Sequence, residues 1–471
     1  MQKTQHLSIG QDRIDILENM PINKAIWKLA LPTMAAMLIQ VIYNMTDTFY
    51  IGKLNDPNMV AGIVITMPIV FILQAFGNVF AVGGASLISR LLGRGEREEA
   101  GKVSATAFWT AVLVFIVVGT IGLIFHRPLL FLCGASPNTI GPAASYALIM
   151  LAGTPVIGLQ HALSGLLRSE GATKEAMIGM ISGGLLNIIL DPVFIFGLDM
   201  GVAGAAIATV IGNIFGFCYY LAFYLRKKSL VSISPKKYSF NPDIFKEILK
   251  IGVPASFGMA LQSIGATLTN VVAAGFGDNI VAANGVVIRG TNIAFMVTIG
   301  LAQGCQPLMG YNYGAKKYNR LVATIKRAIT IGTVMDICFA VLFYLLADIW
   351  IRVFINDPEV IYYGVRILHA LAIALPFMGI QLVLMNMFQS LGKAVESLII
   401  SVGRQGLFYI PALFLFSRLW GFNGFRFSHA FGDIATTCLA IILFFRLRGQ
   451  LAAIKDKPEE EPLQEEPAYS N

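Results

Sequence analysis

Thr154-Pro155-Val156-Ile157-Gly158-Leu159-Gln160, running on to Ser169-Glu170-Gly171, returns later as Leu375-Pro376-Phe377-Met378-Gly379-Ile380-Gln381, running on to Ser390-Leu391-Gly392. Pro155, Gly158, Gln160 and Gly171 each recur after 221 residues, as Pro376, Gly379, Gln381 and Gly392. Leu31-Pro32 returns as Val253-Pro254 after 222 residues, Gly93 as Gly314 after 221, and Gly201 and Gly204 as Gly421 and Gly424 after 220. One half is written twice, and internal duplication in an apolar chain is how many membrane proteins build a path between two similar lobes.

Of the 471 residues, 56% are hydrophobic and only 13% charged, too little polar surface to clothe a soluble chain of this size. Apolar runs of about 20 residues, enough to cross a bilayer, fall near 25–50, 60–86, 103–125, 139–167, 175–197 and 201–225. The second half repeats them near 250–274, 281–309, 322–347, 361–389, 395–416 and 421–445. The expected fold is all-α and membrane-integral: twelve transmembrane helices in two six-helix lobes related by a parallel internal repeat. Six is even, so both copies enter from the same side and their pseudo-twofold runs along the membrane normal. The boundaries read as an N-terminal segment over 1–23, an N-lobe over 24–225, an inter-lobe linker over 226–246, a C-lobe over 247–447 and a disordered, acidic, Pro-rich tail over 448–471. The polar residues before the first run lack the order of a cleaved leader, so that run is its own insertion signal.

Most lysines and arginines fall on one side of this topology, among them Lys24, Lys28, Arg90, Arg94, Arg97, Arg226 to Lys228, Lys316, Lys317, Arg320 and Arg446. The opposite side has little beyond Lys53, Arg127, Arg352 and Arg418. The positive-inside rule then makes the first side, with both termini, cytoplasmic in a multi-pass cell-membrane protein. The net charge of +8 reads as a topology signal and an attraction to anionic membrane lipids, with no nucleic-acid partner. The five cysteines, Cys133, Cys218, Cys305, Cys338 and Cys438, are scattered without metal or CxxC spacing and read as small apolar residues. His161, His369 and His429 read as core or interface histidines, and no metal site is expected. The Gly-rich loops Leu91-Leu92-Gly93-Arg94-Gly95 and Tyr313-Gly314-Ala315-Lys316-Lys317 lack the Walker spacing and the preceding strand of a phosphate loop, so tight turns explain them.

Ionisable residues inside hydrocarbon must face a cavity or a partner. In the first half these are Asp47, within Tyr43-Asn44-Met45-Thr46-Asp47-Thr48, and Asp191, within Asn187-Ile188-Ile189-Leu190-Asp191-Pro192. At 1.5 Å per residue they lie about 6 and 10 Å below the outer surface, with Thr209 at about 12 Å. Asn187 and Asp191 share one helix face, as do Gln40, Tyr43, Asn44 and Asp47. Two polar faces meeting around two carboxylates make a proton or cation site, because close like charges resist being ionised together. The competing reading makes Asp47 a solvated end residue and Asp191 the cap of a bend at Pro192. The second half offers Arg289, Asp336, Arg404, Gln405, His429 and Asp433. Arg404 and Asp433 fall near mid-bilayer and read as a structural ion pair locking helix 11 to helix 12. Prolines within spans, Pro32 among them, read as static bends or hinges.

The 6 + 6 duplication, Leu31-Pro32 opening helix 1, Asn44-Met45-Thr46-Asp47-Thr48 near its end, Leu92-Gly93-Arg94-Gly95, Leu167-Arg168-Ser169-Glu170-Gly171 and Leu190-Asp191-Pro192 together resemble the multidrug and toxic compound extrusion (MATE) family, from about residue 20 to 447. The likeness is strongest to its DNA-damage-inducible-type branch, which includes bacterial multidrug exporters. The resemblance implies no enzyme and no cofactor. It implies a monomeric antiporter that exports cationic, amphipathic small molecules in exchange for H+ or Na+ by alternating access. It also assigns coupling to Asp47, Asn187, Asp191 and Thr209, lining to Gln40, Tyr43 and Asn44, and a bend to Pro32. Another branch uses a Glu in helix 7 and an Asp in helix 10; here helix 7 from Ser256 to Gly275 and helix 10 from Gly364 to Ser390 contain no carboxylate. The rival readings are a flippase for a lipid-linked or other amphipathic substrate, disfavoured by the acids near the outer side, and an intramembrane prenyl-diphosphate transferase, for which no Asp-rich metal motif is present.

Overall fold

The computed structural model describes residues 11–54 and 56–455. Among them are twelve helices long and apolar enough to cross a membrane and no strand. They are α1 (Ile22–Gly52), α2 (Pro57–Gly93), α3 (Arg97–Ile124), α4 (Ile140–Ser169), α5 (Thr173–Gly197), α6 (Gly201–Leu225), α7 (Pro242–Ala274), α8 (Asp278–Gly314), α9 (Tyr318–Leu345), α10 (Pro358–Ser390), α11 (Ala394–Trp420) and α12 (Phe422–Ala453). Their starts are written locally. Asp56 and Asp357 stand as N-caps, each followed by a proline whose missing N–H costs nothing in a first turn. Asn241 and Pro242 do the same for α7, which therefore begins eight residues earlier than the apolar pattern indicates. The closing helix continues to Lys455, past the expected boundary at 447; the rest of the acidic tail lies outside the described residues.

The repeat is visible below the level of the spans. Gly171 (φ 81°) and Gly392 (φ 78°) take the same left-handed turn, one after α4 and one after α10, a conformation that costs glycine little. Short helices His126–Leu132 and Ala347–Phe354 occupy matching places after α3 and α9, with Leu130 and Ile351 fully buried beneath them. Neither shows in the sequence pattern, because seven or eight residues are too few to display a helical period above an apolar background.

The lobes meet through α1 against α8 and α2 against α7, with α2 and α8 crossing between them. The glycine and polar contacts named next lie toward the end of the seam where the lysines and arginines gather, hereafter the basic end. A Cβ on Gly93 would strike the Tyr311 carbonyl, and one on Gly314 would strike the Arg90 carbonyl, which are mirror contacts under the 221-residue repeat. Gly300 lies against Met34 and Gly304 against Ala30, while Gly83 and Gly252 take the Ile248 and Val79 carbonyls. Around these, Ser256 Oγ donates to the Ala75 carbonyl at 2.7 Å, Ser86 Oγ to the Gln389 carbonyl at 2.5 Å, and Arg90 pairs with Glu247 at 3.1 Å. Small residues are what let membrane helices approach closely enough to gain from packing, since lipid supplies no hydrophobic drive. At the other end the seam helices carry exposed apolar side chains, including Phe49, Val64, Ile72, Ile264 and Val271. The lobes are thus packed tightly together at the basic end.

Gly314→Val is expected to destabilise the protein by about 1–3 kcal/mol through overpacking of the seam, read as a fall in apparent Tm in detergent. Gly285→Ala, where an added Cβ meets nothing within 4 Å, is expected to leave Tm unchanged or raise it.

Candidate functional site

The N-lobe site begins with a glycine seam between α5 and α6. Gly179 and Gly183 on α5 face Gly212 and Gly216 on α6, and a Cβ at Gly212 would stand 2.6 Å from the Gly183 carbonyl oxygen. This close approach places the next polar turn of α5 against α6. Asn187 Nδ2 donates to Asp191 Oδ1 at 3.2 Å and to Thr209 Oγ1 at 3.4 Å. Pro192 cannot supply the next backbone N–H, and the helix loosens after it into a π-helical turn over Val193–Gly197. Asp191 is fully buried and Asn187 nearly so.

Across from them runs α1, seated on α5 through Ile39 and Tyr43, both 3.8 Å from where a Gly184 Cβ would stand. Asp47 follows Tyr43 by about one turn and is half-buried, close enough for its charge to act on Asp191. Tyr43 lies in the same field. So does Tyr146 of α4, which sequence reasoning did not single out; a lone tyrosine in an apolar run carries no signal that separates it from core. Asp47 Oδ1, Asp191 Oδ2 and Asn187 Oδ1 are buried with no hydrogen-bond partner. Buried acceptors are otherwise satisfied almost everywhere in proteins. Three unsatisfied acceptor oxygens, two of them belonging to the carboxylates themselves, are suited to hold a proton or a small cation, and the set is all oxygen, which matches hard ions.

The other expected residues divide. Gln40 is half-buried on α1, whereas Asn44 is exposed. Pro32 lies within α1 without interrupting it, one position before Thr33, whose carbonyl borders Gly300 at the seam. In the C-lobe, Arg404 Nε donates to Asp433 Oδ1 at 2.8 Å, joining α11 to α12, and its guanidinium lies over Phe295 at 5.3 Å. Arg404 sits on a π-helical stretch, Gly403–Tyr409. Thr269, which replaces Asp47 in the second copy, hydrogen-bonds Tyr409 Oη, and His429 stacks on Tyr409 at 4.4 Å. Asp336 is fully buried on α9, taking a 2.6 Å hydrogen bond from Thr298. In the first copy its place is held by Phe115, and both pack on equivalent glycines, Gly379 and Gly158. His161 packs near Gly77 and His369 meets the Tyr344 carbonyl at 3.0 Å. Among the described residues no three His, Cys, Asp or Glu side chains are grouped to hold a metal.

The sequence profile of the MatE family matches residues 32–193 and again 254–415, one match per lobe. The chain belongs to the MatE family. Multidrug export protein MepA of Staphylococcus haemolyticus (strain JCSC1435) is 30% identical over 445 residues, 94% of this chain and 98% of that protein. MepA of Staphylococcus aureus (strain MSSA476) is 30% identical over 441 residues, 93% of this chain and 97% of that protein. Among solved structures, a MATE protein in complex with MaL6 aligns with a TM-score of 0.89 at 26% identity, covering 94% of this chain and 99% of that one. The outward-facing conformation of a multidrug resistance MATE family transporter of the MOP superfamily aligns with a TM-score of 0.88 at 26% identity, covering 94% of this chain and 98% of that one. This MatE chain is therefore a multi-pass membrane transporter, not an enzyme.

Gly212→Leu is expected to wedge α6 from α5, separate Thr209 from Asn187, and cut transport at least about tenfold while the protein still inserts; reconstituted transport normalised to protein content checks this.

Proposed function

We propose that this chain exports cationic, amphipathic compounds in exchange for H+ or Na+, by alternating access of a cleft between its lobes. The observation that carries the proposal is the grouping of two carboxylates, Asp47 and Asp191, in the N-lobe, each with one partnerless buried oxygen and with the partnerless Asn187 Oδ1 beside them. The basic end, rich in lysine and arginine and carrying both termini, is assigned to the cytoplasm by the positive-inside rule. With that end closed, the cleft faces outward, the state in which a carried molecule leaves. The names of the staphylococcal relatives supply the substrate class, multidrug export.

The chemistry follows from charge balance. Two neighbouring carboxylates in a poorly solvated pocket favour a positive charge, whether on a substrate or on a coupling ion. When a proton or Na+ occupies the pocket it cancels the field that retains a cationic substrate, so the two compete and one leaves as the other enters. Apolar walls with methionine and phenylalanine accept varied shapes, and charge at the acids supplies the common requirement. The C-lobe has a matching scaffold without this function: its Asp433 is neutralised by Arg404.

In proteoliposomes, efflux of a fluorescent cationic dye driven separately by a pH gradient and by a Na+ gradient identifies the ion. Asp47→Asn and Asp191→Asn are each expected to lower gradient-driven efflux by about tenfold or more. Unaltered efflux in both variants contradicts the proposal.

A further inference from the structure

Residues 11–18 are helical and lead into α1 across the basic end. Arg13, nearly buried, fastens this segment to the N-lobe: its guanidinium donates to Glu170 at 3.1 Å, to the Lys228 carbonyl at 3.1 Å and to Glu175 at 3.3 Å. Glu170 is held in turn by Ser229 Oγ at 2.9 Å and the Leu230 N–H at 2.5 Å. Five residues on, the partners belong to the C-lobe. Glu18 accepts from Tyr311 Oη at 2.9 Å and Lys317 Nζ at 2.8 Å, Asn312 Nδ2 donates to the Leu17 carbonyl at 3.2 Å, and Arg320 to the Met20 carbonyl at 2.5 Å. Ile16 and Leu17 are buried between the two anchor sets. Lys317 and Tyr311 hold the Glu18 carboxyl below its ordinary value, so it is charged.

A helix advances 1.5 Å per residue, which sets the Arg13 and Glu18 anchors about 7.5 Å apart with no slack between them. Opening the cleft at the basic end moves the ends of α8 and α9 away from the α4–α5 turn, and a segment this short cannot follow both. We propose that residues 11–20 form a strap that stabilises the conformation closed at the basic end and releases the C-lobe in each transport cycle. Release falls on the C-lobe side because the Glu18 and Lys317 side chains are about one-third exposed, whereas Arg13 and Glu170 are shielded from water. An ion pair open to solvent is weak and easily exchanged. This inference rests on the alternating access proposed above.

The test places Ser89→Cys, buried in the α2–α8 seam, in a protein whose five cysteines are replaced, and measures its labelling by a membrane-impermeant maleimide applied to the basic face of inside-out vesicles. Glu18→Lys is expected to raise the labelling rate about fivefold or more, and the swap Glu18→Lys/Lys317→Glu to return it to the parental rate. Parental labelling in Glu18→Lys overturns the strap. So does a swap that fails to restore while its Tm in detergent matches that of the parent. Labelling of the parent should change when a cationic dye and an ion gradient are imposed. If that change occurs while Glu18→Lys labels like the parent, the strap alone is wrong. If the parent never changes, alternation is wrong and the strap falls with it.

Discussion

A carboxylate within hydrocarbon must be neutralised, partnered or put to use, and the way each copy of the repeat meets that constraint separates the two lobes. In the C-lobe Asp433 is answered by Arg404, while Asp336 stands alone, taking a short hydrogen bond from Thr298 at one oxygen. In the N-lobe Asp47 lies within range of Asp191, and Asn187 donates to Asp191. A duplicated scaffold has thus kept its backbone in both halves and its unneutralised pair of acids in one.

The backbone has its own requirement, that two six-helix bodies touch firmly at one end and part at the other. Glycines at 83, 93, 252, 300, 304 and 314 meet it by letting helix backbones come into contact, and the Gly93–Tyr311 and Gly314–Arg90 contacts are reciprocal under the repeat. The same device on a smaller scale, Gly179 and Gly183 against Gly212 and Gly216, sets the acid pocket. Close packing of small residues and unneutralised charge are therefore linked: the first fixes the geometry in which the second is tolerated.

The duplication, the twelve spans and the polar face of α5 were legible because each is periodic or chemically conspicuous: a proline-glycine-glutamine pattern repeats at a constant spacing, and an aspartate in an apolar run cannot be overlooked. The Arg404–Asp433 contact was legible for the same reason, since two opposite charges at similar depth have few alternatives. What escaped notice depends on tertiary placement. Tyr146 looks like any buried tyrosine until α4 brings it to the acids. The short helices after α3 and α9 are too brief for a period, and the π-helical turns over Val193–Gly197 and Gly403–Tyr409 have no periodic signature of their own. Arg13 and Glu18 read as ordinary polar residues ahead of the first span, because their partners lie from 157 to 299 residues away. Asn44 shares a face with Asp47 yet is exposed, since helical phase fixes direction but not how far the neighbouring helix extends.

The central claim is that substrate and coupling ion compete for the Asp47–Asp191 pocket. Its most direct test is equilibrium binding of a cationic dye to the purified transporter, titrated against pH and against Na+. The account predicts that dye affinity falls as the coupling cation rises and that this dependence vanishes in Asp47→Asn/Asp191→Asn. A dependence that persists unchanged in the double variant would contradict it.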